Sequence, residues 1–303
     1  MIDKHTHIPV LMDEVLSFLQ IKPNEVYVDA TLGGGGHSRA ILESNSSCIV
    51  IGLDWDLSVI ESVGYRLQEE FPNRFFPVWG NFSKIDQLVR KAGFDKVDAI
   101  LADFGTSQIQ ISNTPGLSVY KDTYLDMRLS ASHFKITACD VINTFSQEAL
   151  ADILYTYADE RHGRKIAKAI VETRKSGWIK TTFELAELVK SVVPQTHHRI
   201  HPATKTFQAL RIFVNKELEN IESFLKNSPL VLGDGGRLVC ISFHSLEDRI
   251  VKQFFKARNK ASYPNSFFEI LTKNVCMASQ DELENNRSAR SARLRAAILK
   301  KTI

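Results

Sequence analysis

Asp29-Ala30-Thr31-Leu32-Gly33-Gly34-Gly35-Gly36-His37-Ser38 is the stretch that decides the fold of this 303-residue chain. It follows Val26-Tyr27-Val28, a β-rich alternation that reads as a buried strand, and precedes Arg39-Ala40-Ile41-Leu42, which Ser38 can open as a helix. Four consecutive glycines therefore stand at a strand-to-helix turn. Such a turn calls for positive φ and a close approach of backbone to ligand, and glycine supplies both without a steric penalty. A loop with no ligand rarely sits between a hydrophobic strand and a helix with an acid at the strand's end, so the pattern points to a nucleotide cofactor.

Outward from this turn the same unit recurs. Cys48-Ile49-Val50-Ile51-Gly52-Leu53-Asp54 is an apolar run closed by a carboxylate, as expected of the second strand of a parallel sheet with Asp54 at its carboxyl end. From there Asp54 can accept ribose hydroxyls. Phe75-Phe76-Pro77-Val78-Trp79 leads to Asn81-Phe82, and Val97-Asp98-Ala99-Ile100-Leu101-Ala102 ends in Asp103. These features specify an α/β fold and an adenosine-containing cofactor. NAD, FAD and S-adenosylmethionine all fit at this level.

Strand signals stop between Ile111 and about Pro202. Residues 147–154, 165–171 and 184–189 have helical spacing, which predicts an all-helical insertion. After it, Phe207, Leu210, Val214, Leu218, Ile221 and Leu225 fall on one stripe of a single long helix, and Gly236 to Phe243 returns to strand pattern. Hydrophobic content of 44% and charged content of 24% are globular values, and no apolar stretch approaches the roughly 20 residues of a membrane span. The N-terminus lacks a charged-then-apolar leader, and Cys48, Cys139, Cys240 and Cys276 lie far apart without a CxxC, so a reduced cytoplasm is expected.

Net charge is only +3, so the informative electrostatics are local. Arg287, Arg290, Arg293, Arg295, Lys300 and Lys301 occupy residues 286–303 with no acid, and Arg161, Arg164, Lys165, Lys168, Arg174 and Lys175 crowd an insertion helix. Both groups are candidates for phosphate contact, with a solvated basic face as the plain alternative. His5 and His7, or His197, His198 and His201, have no carboxylate or cysteine at ligand spacing, so no metal is expected. Ser245 with Asp248 reads as a helix cap in preference to a Ser-His-Asp hydrolase built with His244.

The glycine motif resembles that of the ribosomal RNA small-subunit methyltransferase H (MraW) family, and so do Leu125-Asp126-Met127-Arg128, His201-Pro202-Ala203-Thr204-Lys205-Thr206-Phe207-Gln208-Ala209-Leu210-Arg211-Ile212 and Ile241-Ser242-Phe243-His244-Ser245-Leu246-Glu247-Asp248-Arg249. The resemblance covers nearly the whole chain. It implies a class I (Rossmann-like) S-adenosylmethionine-dependent methyltransferase sheet with an inserted all-α domain. The expected divisions are a methyltransferase domain from 1–112 and 213–303 and a helical RNA-recognition domain at 113–212. The implied activity is methyl transfer from S-adenosyl-L-methionine to the N4 amine of a cytidine in the decoding region, at the P site, of 16S rRNA in the small ribosomal subunit. Monomer and homodimer both remain open.

Carried over by position, the resemblance implies cofactor contacts at Gly33, Gly35, Gly36 and His37, Asp54 on the ribose, Phe82 and Asp103 on the adenosine side, and Gln110 completing the pocket. A cytosine amine has its lone pair delocalised into the ring, so transfer also needs an acceptor for its proton. Asp103 is the first candidate, with Asn215 and His244, and then Arg211 and His201, behind it. Lys205, Gln208, Arg211 and Asn215 form a polar helical stripe that could face RNA or water. The chain departs from the family pattern mostly between 106 and 124, and at Trp55, where a basic residue is usual. An NAD-dependent oxidoreductase and a noncatalytic ribosome-assembly RNA-binding protein are the alternatives.

Overall fold

Tyr27 and Val28 are neighbours in one strand, and both are fully buried, in hydrophobic clusters on opposite faces of a sheet. The same division holds for Val50 and Ile51 and for Ala99 and Ile100. This is why the strands read as continuous apolar runs instead of alternating ones: a parallel sheet covered on both sides has no wet face. The computed structural model of the protein describes residues 8–105, 111, 114–193 and 201–301.

The chain divides into two compact units, Thr106–Glu217 and the remainder, Met1–Gly105 with Leu218–Ile303. The larger unit begins with α1 (Met12–Leu19), β1 (Val26–Asp29), α2 (Gly36–Ser44) and β2 (Ile49–Asp54). A π-turn at Ile60–Gly64 then runs into α3 (Tyr65–Glu70), followed by β3 (Phe75–Trp79), α4 (Ile85–Lys91) and β4 (Val97–Asp103). The helical unit holds α5 (Ala138–Thr144), α6 (Gln147–Ala158), α7 (Gly163–Thr173), α8 (Thr182–Val192) and α9 (Thr204–Asn215). The chain then continues through α10 (Glu217–Val231), β5 (Leu232–Ser242), α11 (Ser245–Ala257), β6 (Ser266–Ile270), α12 (Gln280–Asn285) and β7 (Arg293–Lys301).

Among the described residues seven strands form one sheet, in the order β3-β2-β1-β4-β5-β7-β6. The first five are parallel neighbours, and β7 runs antiparallel to both β5 and β6. Val15, Leu19, Ile41 and Leu42 of α1 and α2 bury against one face. Ile85, Leu88, Phe224, Leu225, Val251 and Phe255 of α4, α10 and α11 bury against the other. Among the described residues no helix is long and apolar enough to cross a membrane.

The helical unit has its own core, in which Leu150, Ile153 and Leu154 of α6 meet Ile166, Ile170, Leu185, Val189, Phe207 and Leu210. Thr137 with Asp140, and Thr181 with Glu184, close the starts of α5 and α8 as capping boxes, satisfying amides that the first turn leaves free.

Three expectations change here. The single long helix expected over Phe207 to Leu225 is two helices, because Lys216 adopts φ 49° and its amide donates back to Ile212 and Phe213, ending α9. The unit boundaries fall at 105/106 and 217/218 instead of 112/113 and 212/213; α9 runs unbroken to Asn215, and Leu210 and Val214 are part of the helical core. Of the arginine-rich segment expected to bind phosphate as a tail, Arg293, Arg295, Lys300 and Lys301 belong to β7, an interior strand whose Leu294, Ala296, Ala297 and Leu299 are fully buried, while Arg287 and Arg290 are exposed on the 3-10 turn Arg287–Ser291 before it.

Candidate functional site

Parallel pairing sets Asp29 opposite Gly52 and Leu101, Asp54 opposite Trp79, and Asp103 opposite Ile241, so three strand-end carboxylates share one edge of the sheet. The glycine turn leaves β1 at this edge. Gly35 sits at φ +77°, and a Cβ on Gly36 would lie 2.2 Å from Pro9 Cγ. Both positions therefore demand glycine for the protein's own packing and turn geometry, before any ligand is considered. The helix begins at Gly36 with no side-chain cap, which leaves its first amides available to an anion. Ser38, expected to open α2, lies inside it, and its hydroxyl donates to Asp29 Oδ2 at 2.7 Å. His37 is buried, with Nε2 3.0 Å from the Val10 carbonyl, tying α2 to the segment before α1.

Asp54 is held by two backbone donors, Asp56 N–H to Oδ1 at 2.9 Å and Gly33 N–H to Oδ2 at 3.0 Å. Burial pushes its carboxyl up to about 6, with the two amides opposing and the charges of Asp56 and Asp29 adding. A carboxylate has about four acceptor positions, so both oxygens keep capacity for hydroxyl donors.

Phe82 lies at this end of the sheet but is anchored in the core, edge-on to Phe224 at 5.7 Å and 5.9 Å from Phe104. Its ring is also 6.2 Å from that of Trp55, which directly follows Asp54 and whose carbonyl accepts the Trp79 indole N–H at 2.9 Å. The sequence pattern points to Phe82 and marks Trp55 only as a departure; the signal for Trp55 is an aromatic ring immediately after a strand-end carboxylate.

Asp103 closes β4. Its amide donates to Thr31 Oγ1 at 2.8 Å, while Thr31 N–H donates to Asp29 Oδ1 at 3.2 Å. Its Oδ1 is buried and has no hydrogen-bond partner among the described residues. Burial, then the charges of Asp29 and Glu247, push the Asp103 carboxyl up to about 8. Gln110 lies outside the described residues.

At the β5–α11 corner the sequence-based cap needs correction. The N-cap is His244, not Ser245, and the acid that completes the box is Glu247, not Asp248. Glu247 Oε2 accepts the Phe243 and His244 amides at 2.7 and 3.2 Å, and the His244 ring takes the Glu247 amide at 3.5 Å. Asp248 instead accepts Arg295 Nε and Nη2 at 2.6 and 3.1 Å, so that arginine holds a strand to a helix.

In the helical unit, Asn215 is fully buried: its Oδ1 accepts the Leu129 amide at 2.7 Å, and its Nδ2 donates to the carbonyls of Met127 and Arg211 at 2.8 Å each. Arg211 makes a two-pronged pair with Glu217, at 2.8 and 2.9 Å, and Lys205 donates to the Asp159 carbonyl. His201 serves its own turn, where its Nδ1 accepts the Ala203 amide at 3.2 Å. Lys205, Arg211 and Asn215 of the α9 stripe therefore brace their own unit, and Gln208 is half-buried. Arg161, Arg164, Lys165 and Lys168 are exposed, whereas Arg174 donates to the Ile142 carbonyl. Of the grouped histidines, His5, His7, His197 and His198 lie outside the described residues.

The strand order with antiparallel β7, the uncapped glycine turn after β1 and the carboxylate ending β2 define a class I, Rossmann-like methyltransferase fold. The chain belongs to the MraW methylase family, whose model matches residues 4–300. It is 45% identical to a ribosomal RNA small subunit methyltransferase H of Caldicellulosiruptor bescii, over 96% of this chain and 98% of that protein. Proteins of the same name from Ehrlichia chaffeensis, at 44% identity over 96% and 99% of the two chains, and Fusobacterium nucleatum subsp. nucleatum, at 46% over 95% of each, are similarly close.

Proposed function

We propose that this protein transfers a methyl group from S-adenosyl-L-methionine to the N4 amine of a cytidine in the decoding region of 16S rRNA, acting on the small ribosomal subunit in the cytoplasm. Membership of a methylase family removes the oxidoreductase alternative. The residues fit the cofactor: Asp54 keeps acceptor capacity for ribose hydroxyls, the first amides of α2 suit a carboxylate, and Asp103 Oδ1 is a buried acceptor awaiting a donor. Trp55 and Phe82 supply aromatic surface for adenine. When bound, S-adenosylmethionine supplies a methyl group already activated by its sulfonium.

What remains for the chain is alignment, exclusion of water and relief of the amine proton. Asp103 carries the proposal. A carboxyl pushed to about 8 is mostly protonated at neutral pH, but its ionised fraction is a stronger proton acceptor than an ordinary aspartate, a condition that suits a positioned base. Glu247 and Asp29 hold that condition by their charge and by fixing the turns around it. Asn215 is left out of the chemistry because its side-chain amide is committed to three backbone groups, and His244 is retained only as the cap of α11. The helical unit is assigned rRNA recognition through the exposed cations of α7.

Nucleoside mass spectrometry of 16S rRNA from small subunits, incubated with the protein and S-adenosylmethionine, tests the assignment. N4-methylated cytidine that appears only with both is the expected result. Methylation confined to another atom, or none, overturns it.

A further inference from the structure

Residues 249–268 carry Arg249, Lys252, Lys256, Arg258 and Lys260 and no acid, five positive charges against +3 for the whole chain. At 3.6 residues per turn, Arg249, Lys252, Gln253 and Lys256 fall within an arc of about 100° on α11. All four are exposed or half-buried, while Leu246, Val251 and Phe255 are buried. The two acids of this helix are withdrawn from the exposed face. Glu247 is 1% exposed within its capping box, and Asp248 is taken by Arg295. Among the described residues, Arg249, Lys252 and Lys256 form no ion pair.

Beyond α11 the chain doubles back, closed by Phe268 N–H to the Arg258 carbonyl at 2.8 Å. There the Arg258 guanidinium lies 4.9 Å from the centre of the Tyr263 ring, itself 47% exposed, and Lys260 Nζ lies 5.9 Å from that of Phe267. The result is a row of unneutralised cations ending in aromatic rings. Its helical part has no apolar side chain between the cations, so it offers neither a protein-docking core nor a membrane-inserting face.

We propose that the exposed face of α11 and the turn at residues 258–263 grip the phosphate backbone of the rRNA, giving the sheet-bearing unit its own RNA-binding surface. The proposal rests on rRNA being the substrate and adds where the methyltransferase unit holds it. It takes the place of the β7 part of the tail, whose cations serve the fold: Arg295 pairs with Asp248, Lys300 with Glu269, and Lys301 Nζ donates to the Leu232 carbonyl, while Arg287 and Arg290 stay exposed before the strand. Cations of this kind bind phosphate without regard to base sequence, and each phosphate they neutralise shows in the salt dependence of binding.

The test is binding of the full chain to protein-free 16S rRNA across a salt series, comparing the unmodified protein with Lys252→Gln/Lys256→Gln. The slope of log affinity against log salt becomes shallower by about 1.4, at roughly 0.7 for each single-strand phosphate that is no longer neutralised, and affinity at moderate salt falls about tenfold or more. Affinity for S-adenosylhomocysteine, measured by calorimetry, stays unchanged. An unaltered slope overturns the proposal. So does an equal loss in Lys91→Gln/Lys226→Gln, two exposed lysines of the same unit, because net charge would then be the cause. Unchanged rRNA binding with weaker binding to assembled subunits assigns the face to a ribosomal protein and also overturns it. Failure of the unmodified chain to bind 16S rRNA either protein-free or in small subunits, in titrations made before any variant, removes the substrate reading itself.

Discussion

Lowering the pH should weaken cofactor binding through Asp54, by an amount that follows from its surroundings. The carboxyl is buried, held by two amides and pushed up to about 6. Ribose hydroxyls donate hydrogen bonds, so they favour the ionised form, and a ligand that binds the carboxylate must first remove its proton. The sign follows: affinity is full above about pH 7 and is lost as pH falls through 6. For one group of pKa about 6, the carboxylate fraction drops from about 97% at pH 7.5 to about 9% at pH 5.0, so affinity falls roughly tenfold. Near pH 6, binding releases about half a proton, readable as a buffer-dependent heat. Asp103, pushed to about 8, is mostly protonated over this range and contributes little to the change.

Calorimetry with S-adenosylhomocysteine, whose own groups do not titrate there, is the assay. Asp54→Asn should remove the pH dependence and weaken binding by about tenfold or more, because charge-assisted hydrogen bonds are worth roughly 1.5–3 kcal/mol each. The amide's NH₂ also faces one of the two backbone N–H groups, so a melting curve must accompany that variant. An affinity constant to within about twofold from pH 7.5 to 5.0 in the unmodified protein would refute the placement of the ribose on Asp54.

Asp103→Asn should lower the single-turnover methylation rate at saturating cofactor by about 10²–10⁴-fold, the usual range for positioned acid–base help; a rate within about twofold of the parent removes the role. Asn215→Ala should leave the saturated rate of the folded fraction unchanged but cost about 2–4 kcal/mol in urea denaturation, since three backbone groups lose their partner; a rate defect without destabilisation contradicts this. Arg295→Ala should destabilise by about 3 kcal/mol, because it leaves a mostly buried Asp248 with only the Arg293 guanidinium 3.9 Å away, and Asp248→Ala/Arg295→Ala should cost less than the two single changes added; additive costs in the cycle contradict the pairing. Trp55 fluorescence should be quenched on adding S-adenosylhomocysteine, and the quench should be lost in Trp55→Leu; an unchanged signal in that variant assigns the quench to another tryptophan.

The parallel core was legible because burial on both faces leaves a simple trace: apolar runs that stop at Asp54 and Asp103. The glycine turn was legible too, although part of its glycine requirement comes from Pro9 and a positive φ at Gly35. The break at Lys216 was not legible. Its left-handed φ occurs at a lysine, without the glycine or asparagine that usually announces such a residue, and the apolar spacing from Phe207 to Leu225 runs through it undisturbed. The cap at His244 is hidden in the sequence because serine is the commoner cap, and only the geometry shows the imidazole facing the Glu247 amide.

The basic segments show the deeper difficulty. Arg295 and Lys256 are alike to a composition count, yet one is tied to an acid 47 residues away and the other faces solvent. A cation is used by the fold when tertiary structure brings an acid or carbonyl within reach, and sequence spacing does not report that reach. In β7 the alternation of Arg293 and Arg295 with Leu294 and Ala296 was a strand signal hidden under a charge signal, because an interior antiparallel strand can carry its charges at one end where helix acids meet them. On α11 the acids stand next to the cations in sequence and suggest a neutral helix. Burial of Glu247 and pairing of Asp248 turn the same helix into a positive face. What decides whether a cation is used by the fold or left facing solvent is therefore where the acids go: one lies against Arg295, and among the described residues none is left to pair with Lys252 and Lys256.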